Sequence, residues 1–262
     1  MNDIDRLSPA LISSGLGTRW LGREIIYYER VGSTNDEARR LAGEGAEEGT
    51  LVIADEQSAG RGRLGRPWLA PARQALLFSL IFRPDRPPRE LFPLIMLASV
   101  ACLHAIEKET GLAVAIKWPN DLLLDGRKVA GILSEIGQPA KRPYVIVGIG
   151  LNVNVDFQSW PELGAQATSL REALGRPVPR LPLLQEILRQ IELAYDRFRA
   201  GYSPYDEWVA HLSTLGREVR VTTAEGTLAG RAVAVDSDGA LCLVLPDGTR
   251  RRILTGDVER LR

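Results

Sequence analysis

The chain has 262 residues, 45% of them hydrophobic, and 33 basic residues balance 33 acidic ones to a formal net charge of zero. That is enough apolar material for a globular protein with a substantial core, most naturally a large domain plus a small one. The balance of charge excludes a global field that draws the protein to nucleic acid or to an anionic membrane, so any anion site must be local.

At the N-terminus, "MNDIDRLSPALISSG" has no basic segment followed by an apolar one, and no run of eighteen apolar residues occurs anywhere. Two cysteines, Cys102 and Cys242, stand about 140 residues apart in apolar surroundings, which argues against a disulfide framework and fits a reducing interior. A soluble cytoplasmic protein is expected. In "STNDEARRLAGEG", Thr34 and Glu37 have capping-box spacing, and Gly43 or Gly45 can end the helix. "TLVIADEQ" (50–57) reads as a strand running into "SAGRGRLGRPW" (58–68), and "ALLFSLIF" (75–82) as a buried strand leaving it, so the glycine-arginine stretch is a loop. "ELFPLIMLASVACLHAIEKETG" is apolar round much of its circumference, as a helix packed on a sheet would be, with Gly111 as its stop. "AVAIKWPND" and "LLLDGRKVAGILSEI" read as strands with a hairpin turn at Asp125-Gly126, and "YVIVGIGLNVNV" (144–155) as a third. "LLQEILRQIELAYDRFRAG" returns to helical periodicity. Beyond Leu215-Gly216 come four short strands separated by Glu225-Gly226, Asp238-Gly239 and Asp247-Gly248, the pattern of a small closed barrel. The expected division is therefore 1–214 and 215–262.

Three of these segments end in groups that bind anions or form hydrogen bonds. In the loop, Gly60, Gly62 and Gly65 let backbone N–H groups approach a ligand, while Arg61, Arg63 and Arg66 offer permanently charged forks suited to phosphate or carboxylate. The spacing is neither a phosphate loop nor a dinucleotide fingerprint, and taken alone it is equally a solvated basic loop. "KWPNDLLLDGRKVAGILSE" (117–135) places Lys117, Trp118, Asn120, Asp121 and Lys128 around one hairpin. A lysine in so apolar a strand is costly to bury unless it meets an anion; "WPND" alone is also readable as a core aromatic before a turn. "GIGLNVNV" then offers the amides of Asn152 and Asn154 beyond glycines that allow close backbone approach.

Taken in order, "GSTNDEA", "DEQSAGRGRLGRPW", "KWPNDLLLDGRKVAGILSE" and "GIGLNVN" closely resemble the motifs of the biotin protein ligases, also called biotin–[acetyl-CoA-carboxylase] ligases or holocarboxylase synthetases. The similarity runs from about Gly22 to the C-terminus, and the joint occurrence of four blocks over some 120 residues is far more specific than any one of them. The resemblance implies an α+β fold: a mixed sheet flanked by helices, related to class II aminoacyl-tRNA synthetases, with a small C-terminal SH3-like β-barrel. It implies that biotin reacts with ATP to give biotinyl-5′-AMP and pyrophosphate, and that a lysine of a biotin carboxyl carrier domain then displaces AMP. By motif alignment, Ser33, Thr34, Asn35, Gln57, Arg61, Gly62, Arg63 and Lys128 fall on biotin-binding positions. Gly60, Trp68, Lys117, Asn120 and Asn152 are expected on the ATP and adenylate side. Lys128, Arg63 and Asp121 are the catalytic candidates, Asp121 as a group that helps deprotonate the incoming lysine, although a turn carboxylate capping nearby N–H groups is the plainer reading.

Mg²⁺ is expected from the ATP chemistry, carried mainly by phosphate oxygens and water. No protein metal site is expected: Cys102 and His104 point to different faces of one helix, and His211 and Cys242 stand alone. A lipoate–protein ligase shares the fold, but the "RRxSGGG" type of segment is absent. A bifunctional ligase and repressor carries a winged helix-turn-helix ahead of the catalytic domain, whereas some twenty-two residues precede "GREIIYY". DNA is therefore not an expected partner, nor is a membrane. A binding module using the arginine loop on nucleic acid would show a steep salt dependence. Monomer and homodimer both stay open.

Overall fold

The computed structural model describes residues 5–87, 90–137 and 143–261. Strands β1 (Ile25–Val31), β2 (Leu51–Gln57), β3 (Ala75–Phe82), β4 (Ala115–Lys117), β5 (Asp121–Leu124), β6 (Arg127–Gly137) and β7 (Tyr144–Asn152) make one seven-stranded sheet, in the order β1-β2-β3-β7-β6-β5-β4. β1 and β2 run parallel and the remaining neighbours are antiparallel, so the sheet is mixed, as expected. The helices are α1 (Pro9–Ser13), α2 (Thr34–Glu44), α3 (Pro93–Thr110), α4 (Pro161–Gly164), α5 (Leu170–Leu174), α6 (Arg180–Arg199) and α7 (Tyr205–Ala210).

Alternation along the strands sends side chains to two faces with different cover. Val145, Val147 and Ile149 of β7 join the main core beneath α3 and α6, and α3 is apolar almost all round because it lies between the sheet and α6. On the opposite face, Ile81 and Ile146 pack with Ala38 and Ala42 of the much shorter α2. An eleven-residue helix spans about 16 Å, so α2 covers only part of that face. The uncovered remainder becomes the cleft.

Two local expectations need correction. The capping box does not form: Ser33 is the N-cap, its side chain makes no capping bond, and Glu37 therefore stands at the fourth helical position, one too far along. Glu37 instead accepts a 2.6 Å hydrogen bond from the Tyr28 hydroxyl and pairs with Arg40. "AVAIKWPND" is not one strand. β4 stops at Lys117, Trp118-Pro119-Asn120 turns through a cis peptide, and β5 returns with Asp121 opposite Lys117.

The C-terminal sheet is antiparallel and has five strands rather than four: β8 (Glu218–Thr223), β9 (Gly226–Val235), β10 (Leu241–Val244), β11 (Arg250–Ile253) and β12 (Asp257–Arg260), in the order β11-β10-β9-β8-β12. β12 escapes sequence reading because the preceding Leu254-Thr255-Gly256 lacks the acidic-glycine turn signal and Val258 is its one apolar inward residue. This sheet docks on the larger domain through aromatic side chains of the β4–β5 turn and of α7. The fully buried Trp118 donates its indole N–H to the Gly239 carbonyl at 2.8 Å, and the Tyr205 hydroxyl donates to the Val235 carbonyl at 2.6 Å.

Candidate active site

The cleft lies over β6 and β7 on the α2 side, with a volume of about 1230 Å³, and is walled by the α2 N-terminus, the glycine-arginine loop and the β12 end of the C-terminal sheet. Its floor is made by glycines in register, Gly131 of β6 opposite Gly150 of β7, with Gly148 one pleat away. A Cβ on Gly150 would lie 2.6 Å from Trp68, and one on Gly148 would lie 2.0 Å from Asn35. The floor is glycine because two large polar-edged side chains rest directly on it.

At the α2 end the side chains form a hydrogen-bond chain. Thr34 donates through both its backbone N–H (2.7 Å) and its hydroxyl (3.0 Å) to Gln57 Oε1. Ser79, wholly buried on β3, has its hydroxyl 2.8 Å from Thr34 Oγ1 and 2.6 Å from Asn35 Oδ1, and Asn35 Nδ2 donates to Glu135 at 2.7 Å. Glu135 pairs with Arg39, Arg39 with Asp36, and Asp36 with Arg61 of the loop. Ser33, buried and free of capping duty, and the Gln57 amide group also line the cleft.

The loop closes on itself: Trp68 N–H donates to the Gly60 carbonyl at 2.9 Å and Gly62 N–H to the Arg66 carbonyl at 2.7 Å. Of its three glycines, Gly65 alone takes a left-handed conformation (φ 72°), and Gly60 is required by the Trp68 backbone, 2.7 Å from where its Cβ would lie. Arg61 and Arg63 diverge. Arg61 reaches back to Asp36 on α2, whereas Arg63 crosses the cleft to Asn120 Oδ1 (3.4 Å) and the Gly256 carbonyl (3.1 Å). Burial pulls the Arg63 guanidinium pKa down, opposed by the nearby carboxylates of Asp121 and Asp257.

Beside Arg63, Lys128 finds the anion that its apolar strand requires. Its ammonium lies 2.6 Å from Asp121 Oδ1 and 5.5 Å from the centre of the Trp68 ring. A register shift where β5 meets β6 follows it, at Val129, and its backbone N–H and carbonyl bond to Gln166 and Thr168 on the other side. Lys117 stands 3.8 Å from the other oxygen of Asp121, so this carboxylate is held between two ammonium groups. Asn120 donates its amide to the Ile132 carbonyl, and Asn152 donates to the Thr168 carbonyl at 3.1 Å. The Trp68 indole N–H and the Asn152 side-chain oxygen are buried without a hydrogen-bond partner among the described residues. Two buried polar atoms left open in one cleft mark where a ligand's donors and acceptors fit. Asn154 is turned away, exchanging both its amide atoms with Val178 at 2.9 Å.

The structure thus brings together Ser33, Thr34, Asn35, Gln57, Arg61, Gly62, Arg63, Trp68, Lys117, Asn120, Asp121, Lys128 and Asn152 around one cleft, with Gly60 at the foot of the loop. Ser79, Glu135, Asp36 and Gly131 escape sequence reading, whereas Gly148 and Gly150 are expected to allow a close approach. Ser79 is one serine in an apolar strand, and its partners are 44 and 45 residues away. One expectation is corrected: His211 does not stand alone, because its ring meets that of His104 edge-on at 6.4 Å, where α7 packs on α3. Cys102 is fully buried, and desolvation raises its thiol pKa to about 12. Among the described residues, no three His, Cys, Asp or Glu side chains converge as metal ligands, and no helix is long and apolar enough to cross a membrane.

Residues 27–152 match the Biotin/lipoate A/B protein ligase family, and residues 214–261 match the Biotin protein ligase C terminal domain. A biotin–[acetyl-CoA-carboxylase] ligase of Mycobacterium tuberculosis is 37% identical over the whole of both chains. The bifunctional ligase/repressor BirA of Bacillus subtilis is 39% identical over 97% of this chain and 79% of its own. Among solved structures, a biotin protein ligase from Aquifex aeolicus, in complex with biotin and ATP, superposes with a TM-score of 0.77 at 30% identity, covering 92% of this chain and 99% of that one. The four motifs, the mixed sheet with its separate antiparallel C-terminal sheet and these similarities agree, and the chain belongs to the biotin protein ligase family.

Proposed function

We propose that this cleft joins biotin to ATP as biotinyl-5′-AMP and passes the biotinyl group to a lysine of a biotin carboxyl carrier domain. In the first step a biotin carboxylate oxygen attacks the α-phosphorus, a new O–P bond forms and pyrophosphate leaves. In the second, a lysine amine attacks the acyl carbon, AMP departs and the amine's proton passes to a base. Both steps gather negative charge on oxygen, which fixed cations stabilise strongly where water is scarce. The observation that carries the reading is the position of Lys128, beside the Trp68 ring in the cleft that the hydrogen-bonded residues at α2 also line.

Each ligand end has suitable chemistry. A ureido ring offers two N–H donors and one carbonyl acceptor, and Ser33, Thr34, Asn35 and Gln57 supply short hydroxyl and amide groups around it, with Arg61 and Gly62 closing from the loop. Trp68 packs near the adenine and Asn152 hydrogen-bonds it through its open oxygen, while Asn120, Lys117 and Arg63 face the phosphates. Asp121, between two lysines, orients Lys128 until the acceptor lysine arrives and is the nearest candidate to receive its proton. Mg²⁺ enters with ATP, carried by phosphate oxygens and water. The test is incubation with biotin, ATP and Mg²⁺, following pyrophosphate and bound adenylate. Pyrophosphate release with lipoate or octanoate but none with biotin would overturn the reading.

A further inference from the structure

The glycine-arginine loop is held from outside its own domain. Arg66 Nη1 lies 2.6 Å from Asp257 Oδ2, and Arg63 donates to the carbonyl of the adjacent Gly256, so both anchors sit where the chain enters β12. These contacts are separate from those that dock the C-terminal sheet, where Trp118 meets Gly239 and Tyr205 meets Val235. Loss of the Arg66–Asp257 pair therefore leaves those docking contacts in place. The loop's internal bonds, Trp68 to Gly60 and Gly62 to Arg66, tie its two arms together. Holding Arg66 consequently helps to hold Arg63 and Trp68 over the cleft, while Arg61 has a separate anchor in Asp36.

We infer that Asp257 is a positioning residue: through Arg66 it keeps the loop across the cleft mouth and so sets how fast the bound adenylate escapes. The inference rests on the ligase reading above. Asp257 makes no contact with the reacting atoms. Its contribution is to the lifetime of a mixed anhydride that would otherwise reach water before a carrier lysine reaches it. The pair is only partly screened, with the Arg66 side chain 64% exposed and that of Asp257 22% exposed. An ion pair of that kind corresponds to a roughly two- to fivefold change in an opening equilibrium.

The experiment compares the parent protein with Asp257→Asn, with Arg66→Asp, and with the exchanged pair Arg66→Asp/Asp257→Arg. Single-turnover pyrophosphate release comes first. Its absence in the parent refutes the ligase reading, and the retention inference with it. When it is present, adenylate dissociation is followed by stopped flow, and cleavage of the ligand-free loop by limited trypsin. Asp257→Asn should release adenylate about two- to fivefold faster and expose the loop to trypsin, with pyrophosphate formation and melting temperature little changed. The exchanged pair should recover most of the parent's retention, and raised salt should bring the parent towards Asp257→Asn. Parent-like release and parent-like trypsin cleavage in Asp257→Asn would overturn the inference while leaving the ligase reading intact. Failure of the exchanged pair to improve on Arg66→Asp would overturn it equally.

Discussion

Gly148 and Gly150 sit two residues apart on β7, on the same face, yet alanine at each should damage a different substrate. At Gly150 the new methyl group would lie 2.6 Å from Trp68 Cε2 and 2.8 Å from Cζ2. Ordinary carbon contacts are about 3.5–4.0 Å, so the indole must retreat by about 1 Å. It belongs to an outer loop and can lift, so the fold should lose no more than the ~1–3 kcal/mol typical of overpacking. The lifted ring gives up its place against the nucleotide base, an interaction of ~1–3 kcal/mol for aromatic stacking on a base, or roughly tenfold in nucleotide affinity. At Gly148 the methyl group would lie 2.0 Å from Asn35 Oδ1, which Ser79 and Glu135 hold in place. Displacing Asn35 breaks two hydrogen bonds at ~1 kcal/mol each, which should weaken biotin about tenfold or more. Calorimetric titration with biotin alone, then with a non-hydrolysable ATP analogue on the biotin complex, separates the two. Equal losses for both ligands in both variants, or nucleotide affinity within about twofold of the parent in Gly150→Ala, would refute the division of the cleft.

Lys128→Ala should lower single-turnover adenylation by about two to three powers of ten, with little change in melting temperature because Asp121 keeps Lys117 at 3.8 Å. Near-normal pyrophosphate release would remove Lys128 from the chemistry. Thr34→Val should cost about 1 kcal/mol through the lost hydroxyl bonds to Gln57 and Ser79, and biotin affinity should fall with it; lost stability with unchanged titration of biotin would leave only a structural role. Arg63→Gly removes the reach from the loop to Asn120 and Gly256, so adenylate should form, escape faster and biotinylate a bystander such as albumin. A clean bystander on a biotin blot, with parent-like adenylate retention, would refute that latch.

What local sequence determined is what local physics controls. Strand β3 is legible because eight buried positions in a row admit almost only apolar residues, and the Asp125-Gly126 turn because both residues take positive φ, which that pair tolerates. The motif residues were legible as a set, since their types suit anion and amide recognition wherever they fold. Pairing across the chain was not. Whether Ser33 or Thr34 caps α2, and hence where Glu37 points, depends on Gln57 and Ser79 having captured the Thr34 hydroxyl from other strands. Gly131 and Gly150 read as two unrelated small residues until strand register sets them opposite each other, and only then does a floor exist for Trp68 to rest on. The same holds for Asp257, 191 residues beyond Arg66 in the chain, whose partner is chosen by how the C-terminal sheet docks on the larger domain. Side-chain type is written residue by residue, but a hydrogen bond or ion pair needs two atoms within about 3 Å, and between distant residues only the folded chain supplies that distance.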